Sequence, residues 1–197
     1  MLNLPLPVAA CLKALAEHGR LHDAQETRHD RRMLNLEWPA AEALYLMVRM
    51  ARRRRILEIG TSNGFSTLWL ALALADREGA RLVTLDREPD KTRQARANLE
   101  QAGLAGSVEC LVGDATELVA GLEGPFDAVF FDADRVSAPE QFARLLPKLT
   151  PDAILFSDNA LSHPEEIAGY LDCVDRSGQF DSTLLTVGKG LHVAVRR

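Results

Sequence analysis

Apolar residues follow two kinds of spacing along this chain. Up to about residue 51 they recur at helical intervals, first over residues 8–18 and again over residues 38–50, where Pro39 fits the first turn. Between them, residues 22–32 (HDAQETRHDRR) are charged and nearly without apolar side chains. An exposed connector is expected there, with little to bury against the cost of ordering. Beyond residue 51, short apolar runs alternate with amphipathic stretches. Strands are predicted at 55–59, 81–85, 108–112, 126–131 and 153–157, and helices at 65–75, 90–102, 115–120, 139–146 and 165–176. Two final strands, 180–187 and 191–195, meet at the tight turn GKG.

Strands separated by helices pair in parallel, with helices on both faces, and the closing hairpin must bring in one antiparallel strand. The expected fold is therefore an α/β, mostly parallel seven-stranded sheet. A length of 197 residues suits one domain. Residues 1–51 would form a helical appendage and residues 52–197 the α/β core. Ligands in such sheets bind beyond the carboxyl ends of the strands, at the point where strand order reverses. Every chemically distinctive segment of this chain falls at such an end.

Composition removes several classes of partner. The net charge of −5 argues against nucleic acid and against anionic membranes. The one basic run, Arg52 to Arg55, reads as a solvated helix C-terminus that complements the helix dipole. Cys11, Cys110 and Cys173 are far apart and odd in number, which speaks against a disulfide framework and for a reducing compartment, the cytoplasm. The N-terminus lacks the basic region of a signal peptide, and no apolar run approaches the roughly 18 residues of a membrane span. His18, His22, His29 and His192 show no metal-ligand spacing. Trp38 and Trp69 read as packing residues, with Trp38 also placed to border a substrate pocket.

The first candidate for chemistry is Leu57 to Ala71, LEIGTSNGFSTLWLA. Gly60 and Gly64 allow a sharp turn and close approach to a ligand, and the amides opening the next helix can face an anionic group. Ser62 stands where a dinucleotide fingerprint needs its second glycine, and GK[ST] is absent, so a pyrophosphate is disfavoured. Glu58 would repel phosphate and suits a cationic ligand, such as an ammonium or sulfonium. Asp86, ending the second strand, is placed to accept hydrogen bonds from ribose hydroxyls, or else is a helix-start acid. Asp114, ending the third, is placed to bind an adenine amino group or to cap the short helix after it.

An acid before the turn, with acids ending the next two strands, resembles the S-adenosyl-L-methionine (SAM) motifs of class I methyltransferases. EIGTSNGFS, LDRE, GDA, FDAVFFDADR and the closing VGKGLHVA are similar, more narrowly, to the catechol and caffeoyl-CoA O-methyltransferases and their small bacterial relatives. The similarity runs from about Met33 to the C-terminus. It implies a Rossmann-like class I methyltransferase fold and a SAM site made by Met33, Glu58, Gly60, Ser62, Asn63, Gly64, Ser66, Asp86, Arg87, Gly113, Asp114, Ala115 and Asp132. It also implies a homodimer and transfer of a methyl group to a small catechol-like aromatic hydroxyl.

The fourth and fifth predicted strands end in FFDADR and SDNA. Asp132, Asp158 and Asn159 are hard oxygen donors suited to Mg²⁺ or Ca²⁺, and the resemblance implies this trio as a divalent-cation site, Mg²⁺ foremost. A phenol is a poor nucleophile at neutral pH, and a cation that holds its oxygen eases loss of the proton. Asp134 is expected to orient the loop. The sequence departs from the family at two positions. Arg135 stands where the family has a lysine taken to accept the substrate proton, and a guanidinium cannot act as a base. Its expected part is to stabilise a phenolate, leaving His163 as the candidate base or substrate contact, or as a helix-start residue beside Pro164. Lys189 replaces the acid of the family's GDGL turn. A SAM-dependent enzyme without metal, and a SAM-binding protein without catalysis, stay open as alternatives.

Overall fold

The structure, a computed structural model, describes residues 2–28 and 31–197; His29, and Asp30 of the charged connector, lie outside the described residues. One sheet organises the molecule. Its strands are β1 (Arg55–Ile59), β2 (Arg81–Asp86), β3 (Val108–Val112), β4 (Phe126–Phe131), β5 (Leu149–Ser157), β6 (Phe180–Leu185) and β7 (Leu191–Arg196), in the order β3-β2-β1-β4-β5-β7-β6. The first five are parallel, and β7 runs antiparallel between β5 and β6. The chain steps outward from β1 to β3, then returns to β1's other side as β4. The reversal between β1 and β4 opens a crevice at their carboxyl ends.

Among the described residues, seven α-helices cover the sheet: α1 (Leu6–Gln25), α2 (Trp38–Met50), α3 (Phe65–Leu74), α4 (Pro89–Gln101), α5 (Ala115–Gly121), α6 (Ala138–Leu145) and α7 (Pro164–Arg176). Alternation along the strands assigns the two faces. Ile56, Ala128, Phe130 and Phe156 join α1–α4 in one core, while Leu57, Ile59, Val129 and Leu155 join α5–α7 in the other. All ten residues of α3 are buried, because α1 and α2 pack over its outer side. This explains why FSTLWLALAL has no polar stripe: a helix covered all round needs none. Trp69, fully buried there and edge-on to Trp38 at 5.4 Å, anchors the layer. Its truncation to alanine would cost about 3–5 kcal/mol.

Three expectations are corrected. First, α1 continues to Gln25, through the first four residues of the segment expected to be a connector. Gly19 lies against the Asn35 side chain, whose Nδ2 donates to Leu15 O at 3.0 Å, so these turns have a partner that their own composition does not show. Second, β5 begins at Leu149, which pairs with Phe126 across an irregularity in the ladder. Third, the basic run is not simply solvated. Arg53 binds Asp152 at 2.7 Å, and the Arg54 and Arg55 amides donate to the Asp127 carboxylate at 2.6 and 2.9 Å. These contacts tie strand ends at the rim opposite the crevice. Among the described residues, no helix is long and apolar enough to cross a membrane.

Candidate functional site

The crevice is a cavity of about 500 Å³, within the usual size of small-molecule sites. One wall comes from the ends of β1, β2 and β3, the other from β4, the loop after β5 and the β6–β7 turn. Residues 32–36 cross it as a strap.

On the first wall, β1 gives way to the turn Gly60–Gly64. Gly60 has φ +108°, and a Cβ there would overlap the Asp132 carbonyl, so only glycine lets the two strand ends approach. Ser62 is left-handed as well (φ +46°). Its N–H donates to Asp86 Oδ2 at 2.7 Å and its hydroxyl to Met33 O at 2.7 Å. Asp86 Oδ1 accepts the Glu88 amide at 2.9 Å. Asn63 is fully buried; its Oδ1 accepts the Phe65 amide at 3.2 Å, while its Nδ2 has no partner among the described residues. Asp114 caps α5 through Oδ1, which accepts from Thr116 and Glu117 at 2.9 and 3.1 Å. The cap reading is realised, and Asp114 also lines the cavity beside Gly113, Ala115 and Arg87.

Two expected contacts on this wall do not reach the cavity, and on the other wall Asp158 does not line it either. Gly64 (φ +88°) faces Ala95 of α4, so it serves close helix packing. Glu58 is wholly buried and does not line the cavity. Its carboxylate accepts hydrogen bonds from Ser66 Oγ and Thr67 Oγ1, both at 2.6 Å, and from Thr84 Oγ1 at 2.7 Å. Burial raises its pKa to about 7 against the pull of those hydroxyls. The expected direct meeting of Glu58 with a ligand's positive charge is therefore corrected: it joins β1, β2 and the first turn of α3. Ser66, spent on Glu58, still borders the cavity.

The strap has an anchor that the sequence did not reveal. Asp23, near the end of α1, accepts the Met33 amide on Oδ1 at 2.7 Å and the Leu34 amide on Oδ2 at 2.9 Å. Lys91 of α4 donates to Arg32 O at 2.7 Å. Met33 is thus buried in the lining, with Leu34 left-handed at φ +49°. The two amides that bind Asp23 lie ten and eleven residues away, so no local motif marks it. Trp38 is not in the lining; its indole N–H donates to Glu42 at 3.1 Å, which is packing.

The second wall is electrostatically different. Asp132 is half-buried, and Asp158 is 4% exposed. Asp158 Oδ2 accepts from Asn159 Nδ2 at 2.9 Å, but its buried Oδ1 has no partner among the described residues. Burial pushes the Asp132 carboxyl well above the usual carboxylate range, and the neighbouring Asp158 charge adds to this. Burial also raises Asp158. Asn159 adopts φ +67° and lines the cavity. Asp134 binds the Val136 amide and the Ser137 hydroxyl, so it shapes the loop into α6. Arg135 borders the cavity and pairs with Glu166 of α7 at 2.8 Å. His163 borders it from the start of α7, with Nδ1 2.8 Å from Ser162 Oγ.

The methyltransferase-domain family matches residues 57–160. A catechol O-methyltransferase of Niastella koreensis is 34% identical over 122 residues, 60% of this chain and 54% of that relative. The chain spans about half the length of the curated relatives it matches. Among solved structures, an O-methyltransferase from Bacillus cereus in complex with SAH superposes with a TM-score of 0.82 at 26% identity, covering 100% of this chain and 93% of that one. The O-methyltransferase TomG from Streptomyces achromogenes, in complex with SAM, gives 0.80 at 29% identity, covering 100% and 92%.

Proposed function

This chain belongs to the methyltransferase-domain family, and from that premise we propose that it moves the methyl group of SAM to a hydroxyl oxygen of a small catechol-like aromatic, with a divalent cation. One observation carries this reading. A turn knitted to Asp86 lines the same cavity as Asp132 and Asn159, and directly beside Asn159 lies Asp158, whose buried Oδ1 has no partner among the described residues. SAM relatives and catechol-type relatives support the two halves separately.

The reaction is a displacement. The acceptor oxygen forms a bond to the methyl carbon, the carbon–sulfur bond breaks, and its electron pair converts the sulfonium to a neutral thioether. In this reading each Asp86 oxygen, already holding one amide, keeps lone-pair capacity for a ribose hydroxyl. Asp114, whose Oδ1 takes the cap, would use Oδ2 to accept from the adenine amino group, with Gly113, Ala115 and Arg87 lining the same part of the cavity. Met33 and the orphaned Asn63 Nδ2 serve the amino-acid end. Asp132 completes the junction of the two walls.

Asp132, Asp158 and Asn159 would hold the divalent cation. Their oxygen chemistry fits, and so does the unpartnered Asp158 Oδ1. A cation there supplies Lewis acidity that eases loss of the acceptor's hydroxyl proton. Arg135, kept charged by its chemistry, offers a phenolate a positive field. His163 is the candidate base. If Ser162 Oγ donates to Asn159 Oδ1, at 3.1 Å, then His163 Nδ1–H donates to Ser162, and Nε2 is left with its lone pair.

We read the chain as one domain whose residues 1–51 help shape the acceptor side. Exposed Leu46 and Met50 on α2 are the candidate homodimer face. Cys11, Cys110 and Cys173 are all unbridged, consistent with a cytoplasmic setting.

The test is transfer of labelled methyl from SAM to a panel of catechols, with EDTA and with Mg²⁺ restored. Transfer lost with EDTA and regained with Mg²⁺ is expected. Transfer indifferent to EDTA would remove the cation from the reading. SAM binding without transfer to any acceptor would leave only a binding protein.

A further inference from the structure

Lys189 sits in the β6–β7 turn, and its backbone is held from two sides. Its carbonyl accepts the Leu161 and Ser162 amides at 2.9 and 3.1 Å, and Gly190 O accepts the Ala160 amide at 3.0 Å. The turn is thereby clamped to the loop that follows Asp158 and Asn159. On the other flank Gly188 is packed so closely on α2 that a Cβ there would come within 2.9 Å of Glu37 Oε2. The Lys189 side chain lines the cavity together with Asp132 and Asn159.

This wall has two cations of different standing. Arg135 is committed to Glu166. Lys189 has no side-chain hydrogen bond or ion pair among the described residues, yet its field draws down both the Asp132 and Asp158 carboxyls. Glu37 acts on Asp158 in the opposite sense. Clamped to the loop after Asp158 and Asn159 and lining the same cavity as Asp132, Lys189 brings this wall a positive charge that no direct pair among the described residues neutralises.

We propose that Lys189 is a built-in competitor at the Asp132–Asp158–Asn159 cluster: its ammonium occupies part of the negative field that would otherwise hold a divalent cation, so cation affinity is set low by this one side chain. The inference rests on the reading of that cluster as a cation site. Its cause is repulsion between like charges in a partly buried setting, which is weakly screened.

Direct titration of Mn²⁺ into the full chain tests it, by calorimetry and by the electron paramagnetic resonance signal of unbound Mn²⁺. Lys189→Ala and Lys189→Gln should each bind Mn²⁺ about tenfold more tightly than the parent, Lys189→Asp more tightly still, and Lys189→Arg like the parent. Asp158→Asn should abolish binding in every background. Melting curves show that each variant is folded, and Lys189→Gln keeps the side-chain volume if Lys189→Ala loosens the turn. Equal Mn²⁺ affinity in the parent and all Lys189 variants, with Asp158→Asn still abolishing it, would overturn the competition and leave the cation site standing. No binding in any variant, Lys189→Asp included, would overturn the cation site and the competition with it.

Discussion

The two walls of the cavity use the same residue type in opposite ways. On the β1–β3 wall, acids are matched to donors: Asp86 holds the Ser62 and Glu88 amides, Asp114 caps α5, and Glu58, buried behind the lining, is ringed by three hydroxyls. On the β4–β5 wall, Asp132 and Asp158 are set near each other, and among the described residues one buried Asp158 oxygen has no donor and Lys189 makes no direct ion pair. A matched acid preorganises a backbone and costs little. An unmatched one destabilises the fold and is retained where a ligand supplies the missing charge. The contrast marks the first wall as a binding mould and the second as the seat of reactivity.

The strongest way to break this contrast is Asp158→Asn. If the second wall trades stability for chemistry, methyl transfer to a catechol should fall ~100- to 1,000-fold while the fold gains about 1–3 kcal/mol from loss of an unpartnered buried charge. Thermal melting and turnover on one preparation decide it. A variant that melts lower than the parent would show Asp158 to be a structural acid like those opposite.

Glu58 sharpens the comparison next, because it is matched yet wholly buried. Its folded pKa of about 7 lies above the ordinary 4.5. Below pH 4.5 both folded and unfolded chains hold the proton. Between pH 4.5 and 7 the unfolded chain releases it first, so stability falls as pH rises, by up to ~3 kcal/mol, and levels off above 7. Glu58→Gln should remove that slope, being close to the parent at pH 5 and more stable at pH 8. Urea unfolding at the two pH values measures it, and parallel pH dependence in parent and variant would refute it.

Asp86→Ala isolates the mould. SAM affinity should drop about tenfold to a hundredfold, through loss of the ribose acceptor and loosening of Ser62. Mn²⁺ affinity should not change. Calorimetry with each ligand separates the walls, and a matching loss of Mn²⁺ binding would show that they are not independent.

The same division governs what was legible in the sequence. The strand ends could be read because their signals are local. RILEI is a short, mostly apolar run, Gly60 and Gly64 bracket a turn, and Asp86 and Asp114 each have an amide that they accept within three residues downstream. Glu58 misled because its partners Ser66, Thr67 and Thr84 come together only when β2 and α3 flank β1; from the sequence it is an acid beside a glycine turn. Lys189 could be seen as a departure but not explained, since its neighbours belong to a loop some thirty residues earlier. The charged connector looked unstructured because composition does not show that α1's last turns meet Asn35 and the strap.

Asp23 gives the smallest and most local test of the mould. Its carboxylate accepts two successive amides, one on each oxygen, and its pKa lies below the ordinary value: burial works against this, but the Met33 and Leu34 amides and His22 more than offset it. In Asp23→Asn a single amide oxygen stands where two carboxylate oxygens stood, so one strap amide loses its acceptor. Met33 then has one tether fewer, while its carbonyl still holds Ser62. SAM affinity should weaken about threefold to tenfold, the cost of roughly one hydrogen bond. Turnover at saturating SAM should stay near that of the parent, and proteolysis should quicken at the strap while the melting temperature moves little. A fall in turnover with SAM affinity unchanged would place Asp23 in the chemistry of the second wall instead of the mould.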